Sequence, residues 1–362
     1  MSKFLKIAAL ATAAALPLLG ALAVTAAELP PAERVVPKGP VKPIAVTAVK
    51  GTPTIDGKFD DAVWSQAPKA EFKAIKGLHF KDDSGNTSGT IQAAYDAERI
   101  YLLLTYEDPT ESVRRSPFVK GADGTWTKVK DPDDRGGDNN VAYEDKFALL
   151  WNINDSILGF NEKLGCTSSC HGGEKGKPYG NKYLEEEGEK GDIWHMKGVR
   201  TGPIGQIDDQ WLDHTRFDPQ KSPDAGRKSD KKDGGGYEDV KLVNGKPEFM
   251  NKDGKAANKG GTYWIKAEDK APFDDAKFVA GDEVSSIIIA PFTGDRGEIS
   301  VAVVWKDGKY TAEMSRKLKT GSPTDVQFDD LGKLYGFGIG LFDNAQVRHA
   351  YVPEPFNLTF KK

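Results

Sequence analysis

The sequence predicts an all-β fold, an antiparallel β-sandwich carrying long loops. Three observations support this. Segments rich in β-formers recur along the chain, among them residues 90–96, 99–106, 146–152 and 335–342. Asp-Gly turn signals punctuate them, at Asp56-Gly57 and Asp307-Gly308. No apolar period near 3.6 is sustained for more than a few turns, so no long helix is expected.

At the N-terminus, residues 1–27 read as a secretory signal. Lys3 and Lys6 precede an Ala-rich apolar run that ends in small residues suited to cleavage. A retained anchor is the competing reading, because the run is about long enough to span a bilayer. No later stretch is, so no span remains once the signal is cleaved. Residues 28–45, rich in Pro and Lys, read as an extended tether. The folded domain is expected over 46–362, and the leader implies a periplasmic location. Cleavage removes two lysines, taking the formal charge from −4 to −6. Without a basic patch, nucleic acid is not an expected partner.

Within the domain, residues 54–64 read as a strand, the Asp56-Gly57 turn and a short helical turn ending on Trp64. Residues 90–96 and 99–106 read as a hairpin, and 146–152 (KFALLWN) as a short apolar strand. The C-terminal third repeats the style at 283–292, 299–306, 309–314 and 335–342. Between these β-rich parts, about 215–261 is crowded with Lys, Asp, Gly and Asn. It reads as a polar surface excursion.

The most specific stretch is Gly165-Cys166-Thr167-Ser168-Ser169-Cys170-His171, which holds both cysteines of the chain. Two cysteines followed at once by histidine form the attachment pattern of c-type haem: the thiols make thioethers and the histidine binds iron. The usual spacer is two residues and here it is three. A Cys166–Cys170 disulfide is the second reading, although so small a loop gains little from cross-linking and leaves His171 unexplained. Zinc is the third, with His79, His195, His214 or His349 completing the set. No serine elbow, phosphate loop or dinucleotide fingerprint occurs. The adjacent pairs Asp60-Asp61 and Asp208-Asp209 diverge on a strand, so no enzyme is expected.

Several further stretches carry a resemblance. They are Ile55-Asp56-Gly57 with Asp61 and Trp64, Ala94-Tyr95-Asp96 with Ile100-Tyr101, Asp108-Pro109-Thr110, and the run 144–153. Asp192-Ile193-Trp194-His195, Arg200-Thr201 and Asp208-Asp209-Gln210 follow the cysteine motif. Together they resemble the ethylbenzene-dehydrogenase-related haem-binding domain, also described as the cytochrome c-552/DMSO-reductase-like domain, over roughly residues 50 to 355. The resemblance implies a sandwich like carbohydrate-binding module 9. Some members hold haem b through Met and Lys; others are c-type with a three-residue spacer, and this chain matches the latter.

That branch implies one covalently attached haem c, held by Cys166 and Cys170 with His171 on the iron. His195 is favoured as the second ligand because the matching family position is a His. Met196 is the alternative, and on an extended strand only one of the two can face the iron. Trp194, Trp211 and Phe160 are expected to wall the porphyrin, and Arg200 and Lys197 to pair with its propionates. The implied function is a periplasmic mono-haem c-type cytochrome transferring electrons, alone or as the haem subunit of a molybdenum oxidoreductase. Its partner would be a redox protein, either a molybdoenzyme or a membrane quinol-oxidising cytochrome. The alternative is an exported β-sandwich module that binds carbohydrate or another ligand, with Cys166–Cys170 a disulfide.

Overall fold

A computed structural model describes residues 41–134, 137–168 and 182–362. The expected signal, most of the tether, Cys170 and His171 lie outside the described residues. Thirteen strands form the principal sheet. In chain order they are β1 (Ile44–Lys50), β2 (Ala70–Ala74), β3 (Thr87–Tyr95), β4 (Arg99–Glu107), β5 (Lys146–Asn152), β6 (Gly191–Lys197) and β7 (Asp208–Leu212). They continue with β8 (Arg227–Ser229), β9 (Ser300–Lys306), β10 (Lys309–Lys317), β11 (Tyr335–Phe342), β12 (Ala350–Tyr351) and β13 (Phe356–Phe360).

The hydrogen-bonded path runs β8-β7-β6-β5-β11-β13-β1-β3-β4-β10-β9, with β2 on β3 and β12 on β11. The path folds back on itself. Phe147, Leu149, Trp151, Trp194, Met196, Phe337, Ile339 and Leu341 come from one end of it. They share one core with Ile91, Ala93, Ile100, Leu102, Leu104, Ala312 and Met314 from the other. Two facing layers that bury one set of alternating side chains make a β-sandwich. Trp151 anchors that core, its ring 4.4 Å from Phe337, 5.1 Å from Phe328 and 5.2 Å from Trp194. Burying each side chain of this size contributes about 1.5–3 kcal/mol.

Local chemistry sets the connections. The β3–β4 hairpin closes where Asp96 Oδ1 accepts hydrogen bonds from the amides of Glu98 and Arg99, both at 2.8 Å. The β9–β10 turn places Asp307 and Gly308 at φ 51° and 75°, the left-handed pair an Asp-Gly hairpin needs. The short helix α1 (Ala62–Gln66) lies over the far outer face, and its Trp64 Nε1 donates to Glu313 Oε1 at 2.7 Å. β1 departs from the antiparallel expectation, running parallel to both β13 and β3. The first strand slots between remote segments, where no hairpin dictates its direction.

The expected polar excursion at 215–261 is largely exposed and carries short strands. It contains β8 and the short strands Gly234–Asp239, Leu242–Val243, Lys246–Pro247 and Phe249–Asn251. Its few apolar residues, Val240 and Met250 among them, pack with Phe118, Trp126, Ile265, Phe278, Val284 and Ile288 in a second small core. The local sequence read as solvated because the partners that bury these few residues come from distant parts of the chain. No helix among the described residues is long and apolar enough to cross a membrane.

Candidate functional site

The layer β11-β5-β6-β7 presents its outer face to the described start of the cysteine segment, at Cys166. Register defines that face. Gly338 pairs with Leu150 and Gly340 with Ala148. Ala148 pairs with His195 and Leu150 with Ile193, while Ile193 pairs with Gln210 and His195 with Asp208. Paired residues share a side and alternate residues stay on it, so all of these project outward.

Gly336, Gly338 and Gly340 form a stripe without side chains, against which other groups lie close. A Cβ at Gly338 would stand 2.2 Å from Cys166 Sγ, and one at Gly340 2.9 Å from His349 Cδ2. Cys166 thus sits on the same face as His195. Leu150, Ile157, Phe160, Leu184, Ile193 and Leu212 form an apolar cluster there, with Ala148 packed against it. Phe342, also on this face, stacks on His195 at 5.8 Å and meets His349 at 4.8 Å.

His195 is the chemical centre of this face. It is 7% exposed. Gln210 Nε2 donates to Ser229 Oγ at 3.2 Å, which turns Gln210 Oε1 toward His195 Nδ1 at 3.1 Å. An acceptor at Nδ1 places the ring proton there and leaves a lone pair on Nε2. Nε2 is buried and has no hydrogen-bond partner. Burial, and then Lys197, Lys146 and Arg227, hold the ring well below the ordinary histidine range, so it is neutral. A neutral imidazole with an oriented, unused lone pair is built to bind a metal centre or a donor hydrogen.

The other expected site residues divide by strand alternation and by prior partners. Trp194 and Met196 flank His195 on the opposite face. Both are fully buried in the sandwich core, where Trp194 Nε1 donates to Asp192 Oδ2 at 3.1 Å. Neither reaches the face that carries His195. Phe160 does, in the apolar cluster. Trp211 lies under the ammonium of Lys228 at 4.5 Å. Arg200 is engaged with Glu144, Nε to Oε1 at 2.5 Å, and stacks over Tyr237. Lys197 pairs with Asp208, which also takes Arg296 Nε at 2.5 Å and the Tyr237 hydroxyl at 2.9 Å. Burial alone would raise the Asp208 pKa, but Lys197 and Arg296 outweigh it and keep the carboxylate ionised.

Four positions with a role here were given none from the sequence: Gln210, the Gly336–Gly340 stripe, Phe342 and Arg227. Alternating glycines on a strand signal close approach by another group, and that signal was readable. Arg227 could be found only from the fold. It lines a groove with Gln210, Lys228 and Ser229, and no carboxylate among the described residues pairs with it.

Among solved structures, the chain is similar to a family 9 carbohydrate-binding module from Caldicellulosiruptor kristjanssonii in complex with glucose. The identity is 10%, covering 88% of this chain and 95% of that one, with a TM-score of 0.34. The same module in complex with cellotriose gives 10% and 0.32 at the same coverage. A carbohydrate-binding protein described from Bacteroides uniformis gives 8% over 88% and 100% of the two chains, at 0.36. No curated protein matches.

The solved structures to which the chain is similar are described as carbohydrate-binding, and the expectation of an electron-transferring mono-haem c-type cytochrome is corrected to its alternative, a β-sandwich module for carbohydrate or another ligand with Cys166–Cys170 a disulfide. The physical reason lies in what each reading rested on. Strand pattern and register support the sandwich along the described domain, whereas the cytochrome reading rested on the Cys166-Cys170-His171 motif and on one branch of the family resemblance. The ethylbenzene dehydrogenase family pattern matches residues 61–352, and the chain belongs to that family.

Proposed function

We propose that this chain is an exported β-sandwich ligand-binding module that holds its ligand on the outer face of β11-β5-β6-β7, against His195. One observation supports this above the rest: His195 Nε2 is buried, neutral and unpartnered, with its lone pair fixed by Gln210. Leaving such a group unsatisfied costs about 1–3 kcal/mol, a cost that a ligand at this position would remove. In this reading the module binds its ligand through the single oriented imidazole lone pair of His195.

The cofactor proposed for the face is one covalent haem c, as in the c-type branch of the family. The residues present fit it. Cys166 lies against the glycine stripe on the same face as the His195 lone pair, with an apolar cluster between strand and loop. Cys166 would carry one thioether; Cys170 and His171, which would supply the second thioether and an iron ligand, lie outside the described residues. A bound haem would supply an iron that the free lone pair of His195 Nε2 could ligate. Within the chain, Gln210 fixes the His195 tautomer, Phe342 and Phe160 exclude water, and Arg227 offers a cation to an acidic edge.

A polysaccharide ligand, by contrast, calls for an exposed aromatic platform. The large hydrophobic residues that stand exposed among the described residues are all aliphatic, from Val141 to Leu334. The test is the intact mass of the protein secreted from a bacterial host that matures c-type haem, for wild type and Cys166→Ala. The proposal expects wild type to carry the added mass of one haem and Cys166→Ala to lose it or hold it loosely. A colourless protein whose mass shows only a disulfide would remove haem and leave the His195 site to a diffusible ligand.

A further inference from the structure

A second site lies on the opposite side of β6 and β7. Asp192 of β6, Asp209 of β7 and Asp325 of the β10–β11 connection bring one carboxylate oxygen each to within 4.8 Å of the others. Asp230, just beyond β8, joins them through the hydrogen bond from its amide to the Asp209 carbonyl. Arg316 is the one cation in the cluster among the described residues; its Nη1 is 2.7 Å from Asp192 Oδ2 and 3.8 Å from Asp325 Oδ2.

Proximity of acids alone would mean little. The second observation is what these groups leave unused. Asp209 is 0% exposed and neither of its carboxylate oxygens has a partner. Asp192 Oδ1, Asp325 Oδ1 and Asp230 Oδ2 are buried and unpartnered as well. The opposite oxygens are already engaged: Asp192 Oδ2 accepts from Arg316, Trp194 and the Val326 amide, and Asp230 Oδ1 from Thr324 Oγ1. The carboxylates of Asp192, Asp209 and Asp325 therefore sit together, each with at least one unpartnered oxygen and with a single guanidinium beside them, and Asp230 lies next to this group. Five orphaned anionic oxygens in a dry interior are untenable without protons or a cation.

We propose that Asp192, Asp209 and Asp325 bind a single Ca²⁺ that ties β6 and β7 to the β10–β11 connection. The donors are all oxygen, which selects a hard cation over zinc or copper. Oxygens all within 4.8 Å of one another can share one Ca²⁺ at about 2.3–2.6 Å each. Mg²⁺ is disfavoured because it keeps several waters and demands an octahedron. The ion would stiffen the two strands that carry His195 and Gln210, the residues immediately after Trp194 and Asp209.

The experiment is a Tb³⁺ titration of the EDTA-treated full chain, read as Trp-sensitised emission, since the Trp194 indole already touches Asp192. The proposal expects a saturable signal displaced by Ca²⁺. Asp209→Asn should weaken it by at least about tenfold, and Asp108→Asn, in the separate acidic group Asp108-Asp145-Asp343, should leave that component in place. Asp325→Asn serves as the second variant should Asp209→Asn not fold. Absence of the signal, or an equal signal in both site variants, overturns the proposal. So does a gain in thermal stability from Asp209→Asn in EDTA with no response of wild type to Ca²⁺, because protons would then hold the cluster.

Discussion

His195 Nδ1 lies 3.1 Å from Gln210 Oε1, one step diagonally across the β6–β7 ladder, and this contact decides which ring nitrogen faces the candidate ligand. Replacing Gln210 by Leu would free the ring to change tautomer and rotate. We expect ligand affinity to fall about 10–100-fold, the usual cost of losing the group that orients a ligating histidine. Ligand retention during dialysis measures it; retention equal to wild type would show that Gln210 does not set the ligand.

Gly338 is kept open by contact rather than by backbone strain. A methyl there would meet Cys166 Sγ at 2.2 Å. Gly338→Ala should displace the cysteine loop and destabilise the fold by about 1–3 kcal/mol, as overpacking does. Urea unfolding checks this, and alkylation of Cys166 in the ligand-free, reduced protein should accelerate in the same variant.

Arg200 is held by Glu144, whose Oε2 also accepts the amides of Val199 and Arg200 at 2.7 and 3.1 Å. Burial pushes Glu144 up, but Arg200, Arg115 and Lys146 outweigh it and keep the carboxylate ionised. Glu144→Gln leaves a buried guanidinium uncompensated and should cost about 3–5 kcal/mol, read from the urea midpoint. A loss below about 1 kcal/mol would mean that Arg200 has another counter-ion.

The acidic group Asp108, Asp145 and Asp343 gives a pH signature. Burial, and then Asp145 and Asp343, push Asp108 up to about 9; burial pushes Asp145 up to about 8. The folded state therefore keeps protons that the unfolded chain releases near 3.8, so stability falls as pH rises through the folded values. In EDTA, the urea midpoint of wild type should drop between about pH 7 and 9, and Asp108→Asn should flatten that drop. An identical slope in the variant would place the titration elsewhere.

Histidine gives the opposite slope at lower pH. Burial takes His349 from 6.5 down to about 4. The unfolded chain takes up that proton first, so stability is lost as pH falls from about 6.5 toward 4. His349→Gln should lessen the loss, measured as the thermal midpoint across that window.

Much of the sandwich was legible because its strands are local. Residues 146–152 and 335–342 form strands with those bounds, and Asp307-Gly308 turns where its chemistry requires. Parallel β1 was not legible, since its partners are the far C-terminus and a strand beyond α1. The excursion at 215–261 is largely exposed, as its composition suggests, but its short strands were not legible, because residues near 118, 126 and 265–288 bury its few apolar side chains. At the site, strand alternation predicted that His195 and Met196 oppose each other, and they do. The same rule sends Trp194 inward, away from the pocket it was expected to wall. Gln210 and Arg227 were illegible as site residues because only pairing of β6, β7 and β8 brings them beside His195.

The most direct measurement of the central claim is a crystal structure of the protein purified from an exporting, haem-maturing host, read at His195 Nε2. The account predicts a non-protein group within bonding distance of that nitrogen, on the face formed by Ala148, Phe342 and the glycine stripe. Contact of Nε2 with protein atoms or water alone would contradict it.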